Sequence, residues 1–209
     1  MLHPRSIRVG GIVVCGGKSS RMGRAKAWLE LGRETFLQRV VRVLGEVVSP
    51  VVVVAAVGQE LPPLPDDVEI VRDEFEGKGP LAGLTTGLGA LRGRCEAAYA
   101  SSTDVPLLSG SFVRAVIDEL GEADLVLPRE GKFHHPLAGC YRVSLEPVVR
   151  GLVERDRLRP VFLLDEARGV EFDVERLRVA DPELDSLRNC NTPEEYAEML
   201  RRWDFLGGH

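Results

Sequence analysis

Short apolar runs rich in β-branched residues recur at positions 11–15, 51–57, 68–71, 97–101 and 124–127, each bounded by Gly, Pro, Ser or Asp. Runs of that length and composition predict strands buried on both faces. Between them the apolar residues fall at helical spacing: Phe36, Val40, Val43, Leu44 and Val47, then Leu84, Leu88 and Leu91, then Phe112, Val116, Ile117 and Leu120. Strand and helix alternate through about the first 130 residues, which implies right-handed crossovers and a largely parallel sheet. Ligands of such sheets bind beyond the carboxyl ends of the strands, so the loops that follow strands are where chemistry is expected.

Beyond that point the pattern is less regular. Residues 132–143 predict a strand or hairpin entering from another direction, followed by helices near 144–154 and 160–167. A last helix is announced by its own start signal, with Thr192 as N-cap, Pro193 at the first helical position and Glu195 three residues after the cap. No linker, low-complexity tract or internal repeat interrupts the 209 residues. The expectation is one α/β domain, a three-layer sandwich around a mostly parallel sheet.

Composition narrows the function classes. A net charge of -5 argues against a nucleic-acid binder, which needs a basic surface to neutralise phosphates. The longest apolar run, 47–57, is broken by Ser49 and Pro50 and is far short of the roughly 20 residues a bilayer span requires. The stretch 12–15 is too short for the apolar region of a signal peptide, so a cytoplasmic location is expected. Cys15, Cys95, Cys140 and Cys190 lack metal-ligand spacing and read as buried free thiols. Only two asparagines and two glutamines occur, and arginine greatly outnumbers lysine. Scarce thermolabile amides point to a hot source, and GC-rich coding would give the same bias.

Three loops carry the candidate chemistry. The first, GGKSSRMGRAK from residue 16 to 26, directly follows the first strand. Its glycines let consecutive N–H groups turn toward an anion, and Lys18, Arg21, Arg24 and Lys26 add charge suited to a triphosphate. It matches neither the phosphate loop GxxxxGK[ST] nor the dinucleotide fingerprint GxGxxG. In the second loop, EGKGPLAGL, Gly79, Pro80 and Gly83 make a compact turn that lets the next helix approach a ligand, and Asp73 just before it is placed to accept hydrogen bonds from a base or sugar. In the third, STDVPLL, Asp104 ends an apolar strand, where a carboxylate either holds a hard cation such as Mg²⁺ or caps the following turn. His134 and His135 in HHPLAGCY either bind the phosphate of a second substrate or hydrogen-bond within a strand end.

Taken in order, CGGKSSRMGRAK, DEFEGKGPLAGL, STDVP, HHPLAGCY and RNCNTPEEY resemble the MobA-type molybdenum cofactor guanylyltransferases, within the GT-A-like nucleotidyltransferases whose fold is Rossmann-like. The resemblance spans residues 15–196. The first and third pieces are shared across that superfamily; GPLAGL and the NxNTPEE ending are more particular to this branch.

The resemblance implies Mg²⁺-dependent transfer of GMP from GTP to the phosphate of Mo-molybdopterin, giving the guanine dinucleotide and pyrophosphate. It implies nucleotide contacts from Val14, Cys15, Gly16, Gly17, Lys26, Asp73, Gly79, Pro80, Leu81 and Asp104. Arg21, Lys26 and Asp104 would be catalytic, with Asp104 the Mg²⁺ ligand. His135, Asn189 and Asn191 would lie on the acceptor side. The nucleotide part would cover about residues 9–130 and the acceptor part 131–209. Partners would be these two substrates, with transient contact to molybdoenzymes or cofactor-biosynthesis proteins, and no nucleic acid or membrane.

The rival readings are a related nucleotidyltransferase using CTP with molybdopterin, or an NTP with a sugar phosphate or phospholactate, and a catalytically inactive nucleotide-binding homologue. Two departures bear on them. Ala25 stands where members often carry Asp before the loop lysine, and Val54, Ala55 and Ala56 stand where they often carry Asn. That second change removes an amide that would help specify a purine.

Overall fold

The computed structural model describes residues 7–15, 25–75 and 77–208. Its main sheet contains β1 (Val9–Val14), β4 (Val51–Ala55), β5 (Glu69–Arg72), β6 (Ala97–Ser102), β7 (Leu125–Glu130), β8 (Phe133–His134), β9 (Cys140–Arg142) and β10 (Gly169–Asp173). The order is β10-β7-β9-β6-β1-β4-β5, with β8 paired to the end of β7. β1 pairs parallel with β4 and β6, β4 with β5, and β7 with β10, while β9 runs antiparallel to both β6 and β7. All the parallel strands therefore end on one edge. A small hairpin of β2 (Glu30–Leu31) and β3 (Glu34–Thr35) stands apart.

Helices α1 (Phe36–Gly45), α2 (Pro80–Leu91), α3 (Gly110–Asp118), α4 (Glu146–Glu154), α5 (Phe162–Glu166), α6 (Val174–Leu177) and α7 (Pro193–Phe205) complete the architecture. The two-residue period of the strands sorts the core into two halves. Val13, Val53, Tyr99, Val126 and Cys140 face α1, α3 and α6, burying Leu37, Val40, Phe112, Val116 and Leu177. Ile12, Val14, Val52, Val54, Ala98, Ala100 and Tyr141 face α2, α4 and α5, burying Leu84, Leu88, Leu152 and Leu163. This is the three-layer α/β sandwich expected from the strand-helix alternation. No helix among the described residues is long and apolar enough to cross a membrane.

The sequence places the strands well and their ends less well. β1 begins at Val9 and stops before Cys15, and β4 stops at Ala55. The antiparallel segment at 132–143 resolves into β8 and β9, separated by a short 3-10 turn at Pro136–Ala138. β10 lies at a sheet edge and was not foreseen. Only Phe172 of its five residues is fully buried, so it lacks the apolar run that marks the interior strands.

A third, smaller core attaches the C-terminal helix. Met199 and Cys190 pack with Leu29, Leu31, Phe36 and Leu107, flanked by Tyr196, Leu200 and Trp203. Phe36 and Tyr196 meet edge to face at 5.7 Å, and the Arg39 guanidinium lies 4.0 Å from the centre of the Trp203 ring. The start of α7 is set locally: Thr192 caps Glu195 N–H and the Glu195 carboxylate returns to the Thr192 N–H, the reciprocal box read from the sequence.

Candidate active site at the carboxyl edge of the sheet

The edge where β1 and β6 end is built by close packing of α2. A Cβ at Gly83 would sit 2.7 Å from Val14 Cγ1, and one at Gly87 2.5 Å from Ile12 Cγ2. Hydrogen at both positions lets the helix lie on β1, bringing its first turn over the end of the strand. Gly79 caps that turn with φ of 74°, Pro80 occupies the first helical position and Leu81 is buried. The cap residue Gly79 offers no side chain to the first turn. Pro80 has no N–H and the Ala82 N–H donates to the Gly79 carbonyl at 3.2 Å, so the Leu81 N–H and the helix dipole are what this end presents to an anion.

Across that edge three side chains converge from widely separated positions. Lys26 Nζ donates to Asp104 Oδ2 at 2.9 Å and to Asn191 Oδ1 at 2.7 Å. Lys26 and Asp104 expose 22% and 19% of their side chains, which weakens screening of the pair by solvent while leaving it reachable. The other Asp104 oxygen, Oδ1, accepts from Ser102 Oγ. The main chain joins in: Cys190 N–H donates to the Asp104 carbonyl at 2.8 Å, and the Asn191 N–H donates to Glu195 Oε2 at 2.6 Å. Asp104, Ser102, Cys190 and Glu195 therefore hold the Lys26–Asn191 contact from two sides.

The remaining expected residues spread along the same edge. Asp73 follows β5, and its Oδ1 accepts from Phe75 N–H at 3.0 Å and Thr86 Oγ1 at 3.4 Å, stabilising the turn that leads to α2. Cys15 is buried at the end of β1, where its N–H donates to the Val54 carbonyl. His135 follows β8; its Nε2 is buried 3.7 Å from Glu130 Oε2, with no hydrogen-bond partner among the described residues. Burial depresses the His135 pKa, opposed by Glu130 and reinforced by His134. His134 Nε2 lies 2.6 Å from Glu171 Oε1. Asn189 is exposed beside Cys190. Gly16, Gly17 and Arg21, with Lys18 and Arg24, lie outside the described residues.

The thiols near the site are poor nucleophiles. Burial pushes Cys15 upward against hydrogen bonds from Thr103 and Gln59, and pushes Cys190 up to about 11 against the opposing charge of Lys26. No three His, Cys, Asp or Glu side chains among the described residues cluster as a ready-made metal cage. The two oxygens converging on the Lys26 ammonium are nonetheless the hard donors that suit a divalent cation sharing its other positions with phosphate and water.

Two contributors escaped the sequence reading. Ser102 lies two residues before Asp104 in the quoted motif, but only the turn that follows β6 brings the carboxylate onto its hydroxyl. Gln59 donates from Nε2 to the Cys15 carbonyl at 3.0 Å and accepts from Ala56 N–H at 3.0 Å. Its sequence signal was present: it is the one carboxamide in the segment that follows β4.

An open groove of about 670 Å³ beside this turn is lined by Trp28, Gln59, Leu61, Pro63, Ile70 and Arg72. Ile70 pairs with Val53, whose side chain faces α1, so the groove opens on the face opposite α2.

Residues 11–169 match the MobA-like NTP transferase domain. A probable molybdenum cofactor guanylyltransferase of Mycobacterium ulcerans is 34% identical over 203 residues, covering 94% of this chain and 95% of that protein. Its Mycobacterium tuberculosis counterpart is 37% identical over 169 residues, covering 78% and 83% respectively. The crystal structure of molybdopterin-guanine dinucleotide biosynthesis protein A from Archaeoglobus fulgidus superposes with a TM-score of 0.76 at 21% identity, over 94% of this chain and 99% of that one, and thus shares the fold.

Proposed function

The chain belongs to the MobA-like NTP transferase family, and from that premise we propose that it transfers GMP from GTP to the terminal phosphate of Mo-molybdopterin, releasing pyrophosphate. The observation that carries the reading is the meeting of Lys26, Asp104 and Asn191 beside the uncapped start of α2. It supplies a cation, two oxygens for a metal and the positive end of a helix dipole on one edge.

Little covalent chemistry is left to the protein. The acceptor phosphate is ionised at neutral pH, so no strong general base is needed, and no thiol near the site is ionised to compete with it. The work is alignment of two mutually repelling anions and stabilisation of charge as it develops. Lys26 moves from Asp104 toward the triphosphate, and the first turn of α2, at Gly79, Pro80 and Leu81, faces its oxygens. Asp104 Oδ2 and Asn191 Oδ1 would hold Mg²⁺, which would supply neutralisation of the charge that develops on the leaving pyrophosphate.

Gly16, Gly17 and Arg21 are assigned to the phosphates on their sequence position, and Val14, Cys15 and Asp73 to the nucleoside. Asn189 and His135 are assigned to the acceptor, which approaches from the side of the second part of the chain, 131–209, while 9–130 holds the nucleotide. Asn191, first expected beside the pterin, is better used at the cation because its carbonyl already meets Lys26.

The test is calorimetric titration with GTP, CTP, ATP and UTP in the presence of Mg²⁺, followed by product analysis with molybdopterin. Selective GTP binding and formation of the guanine dinucleotide are expected. Preference for CTP, or product with a sugar phosphate alone, would move the chain to a sister activity, and binding without turnover would make it an inactive homologue.

A further inference from the structure

The chain contains four carboxamides, each able to donate from one end and accept at the other. Gln38 closes the capping box of α1, and Asn191 meets Lys26. Gln59 has a placement of its own. Residues 56–59 form a tight turn closed by Gln59 N–H to the Ala56 carbonyl at 3.1 Å, with Gly58 at φ of 73°. That left-handed glycine swings residue 59 back across the end of β4 toward β1.

The Gln59 side chain then joins two strand ends. Oε1 accepts from Ala56 N–H at 3.0 Å, and Nε2 donates to the Cys15 carbonyl at 3.0 Å with the Cys15 sulfur at 3.5 Å. A backbone donor on one side and a backbone acceptor on the other leave only one orientation of the amide that satisfies both. From the third strand Arg72 Nη1 donates to the carbonyls of Ala56 and Gln59, each at 3.0 Å. The ends of β1, β4 and β5 are thus laced together through one turn. Cys15 is the residue from which the glycine-rich segment departs.

We infer that Gln59 is a positioning residue for nucleotide binding: its carboxamide fixes the Cys15 carbonyl at the end of β1, in the residue assigned above to the nucleoside. The inference rests on the nucleotide reading above. It also separates two roles that an amide in this segment can play. Gln59 is committed to main-chain groups at both ends, so it sets how tightly any nucleoside triphosphate is held and does not choose between bases. Guanine selectivity then comes from other groups on the edge.

The experiment compares the full-length chain with Gln59→Met, which keeps side-chain length and packing, and Gln59→Glu, which keeps the acceptor for Ala56 N–H but turns a carboxylate toward the Cys15 carbonyl. Binding of Mg²⁺-GTP and Mg²⁺-ATP is measured by calorimetry, with KM and kcat for GTP and the thermal midpoint of each variant. The expected result is a rise of about five- to tenfold in Kd and KM for both nucleotides, the scale set by one lost hydrogen bond, with kcat and the GTP-to-ATP preference kept. Gln59→Glu should be impaired at least as much as Gln59→Met, since the lost donor is what matters.

A lowered midpoint with unchanged KM would reduce Gln59 to a fold contact and overturn the inference. A collapse of GTP preference would overturn it in favour of base reading. If Gln59→Met does not fold, Gln59→Glu decides by the same criteria. A wild-type chain that binds no nucleotide refutes the guanylyltransferase reading itself, whereas wild-type binding with unaltered variants refutes only the positioning role.

Discussion

Lys26 Nζ lies 2.9 Å from Asp104 Oδ2, joining the end of the glycine-rich segment to the end of β6. The ammonium and the carboxylate hold each other in place, and under the proposed function each would pass to a different partner. Lys26→Ala is expected to weaken Mg²⁺-GTP binding and lower kcat/KM by about 10²–10³-fold, the usual loss for one preorganised donor to developing charge. Asp104→Ala should abolish metal-dependent turnover while leaving GTP binding in EDTA largely intact. Steady-state kinetics with Mg²⁺ titration separates the two, and normal turnover of Asp104→Ala would remove it from the metal.

Asn191 offers a second check on the cation. Asn191→Ala should raise the half-saturating Mg²⁺ or Mn²⁺ concentration by about 10–100-fold, and Glu195→Ala, which frees the Asn191 N–H, should do the same to a smaller degree. Mn²⁺ binding followed by electron paramagnetic resonance reads this without turnover. Wild-type metal affinity in Asn191→Ala would return that residue to the acceptor side.

The two α2 glycines should respond differently to a methyl group. Gly87→Ala presses on Ile12 in mid-strand, and Gly83→Ala presses on Val14 at the site edge. Both neighbours are β-branched and stiff, so overpacking of about 1–3 kcal/mol is expected in each. At about 2–4 °C per kcal/mol for a chain of this size, calorimetric midpoints should fall by several degrees. Only Gly83→Ala should also raise the KM for GTP; equal kinetic effects would mean that α2 shifts as a rigid whole.

Acid should destabilise the fold through His135. Burial holds its folded pKa below the ordinary 6.5, so between those two values the unfolded chain binds a proton that the folded chain refuses. That contribution to stability is intact above about pH 6.5 and declines as pH falls through the window beneath it. A thermal-midpoint series from pH 8 to pH 5 should slope downward below about 6.5, and His135→Gln should flatten that part of the slope. An unchanged slope in the variant would assign it to carboxylates instead.

The sheet was legible because its interior strands are uniform: β4 is five buried residues in a row, and β6 buries five of six. The edges were not. β5 has no fully buried residue and β10 has one, so neither carries the apolar run by which a strand is recognised without its neighbours. β5 was found from its β-branched residues, and β10 was missed. Helix α7 was legible to the residue because its start is a local contract among Thr192, Pro193 and Glu195.

The site divides in the same way. Lys26 announces itself through the cationic glycine-rich loop that it closes, and Asp104 through its place after an apolar strand. The use of Asn191 depends on a chain reversal that brings residue 191 back to residue 26, and the use of Gln59 depends on the left-handed Gly58, neither of which residue type alone discloses.

Asn191 reaches the site from the start of α7, long after β1, α2 and β6 have passed. During synthesis a chain that has emerged only as far as β10 holds Lys26 and Asp104 without their third companion. The triad is completed only when the final helix docks on Leu29, Phe36 and Leu107. Under the proposed use of Asn191, removing α7 would cost metal affinity at an edge built by residues far earlier in the chain.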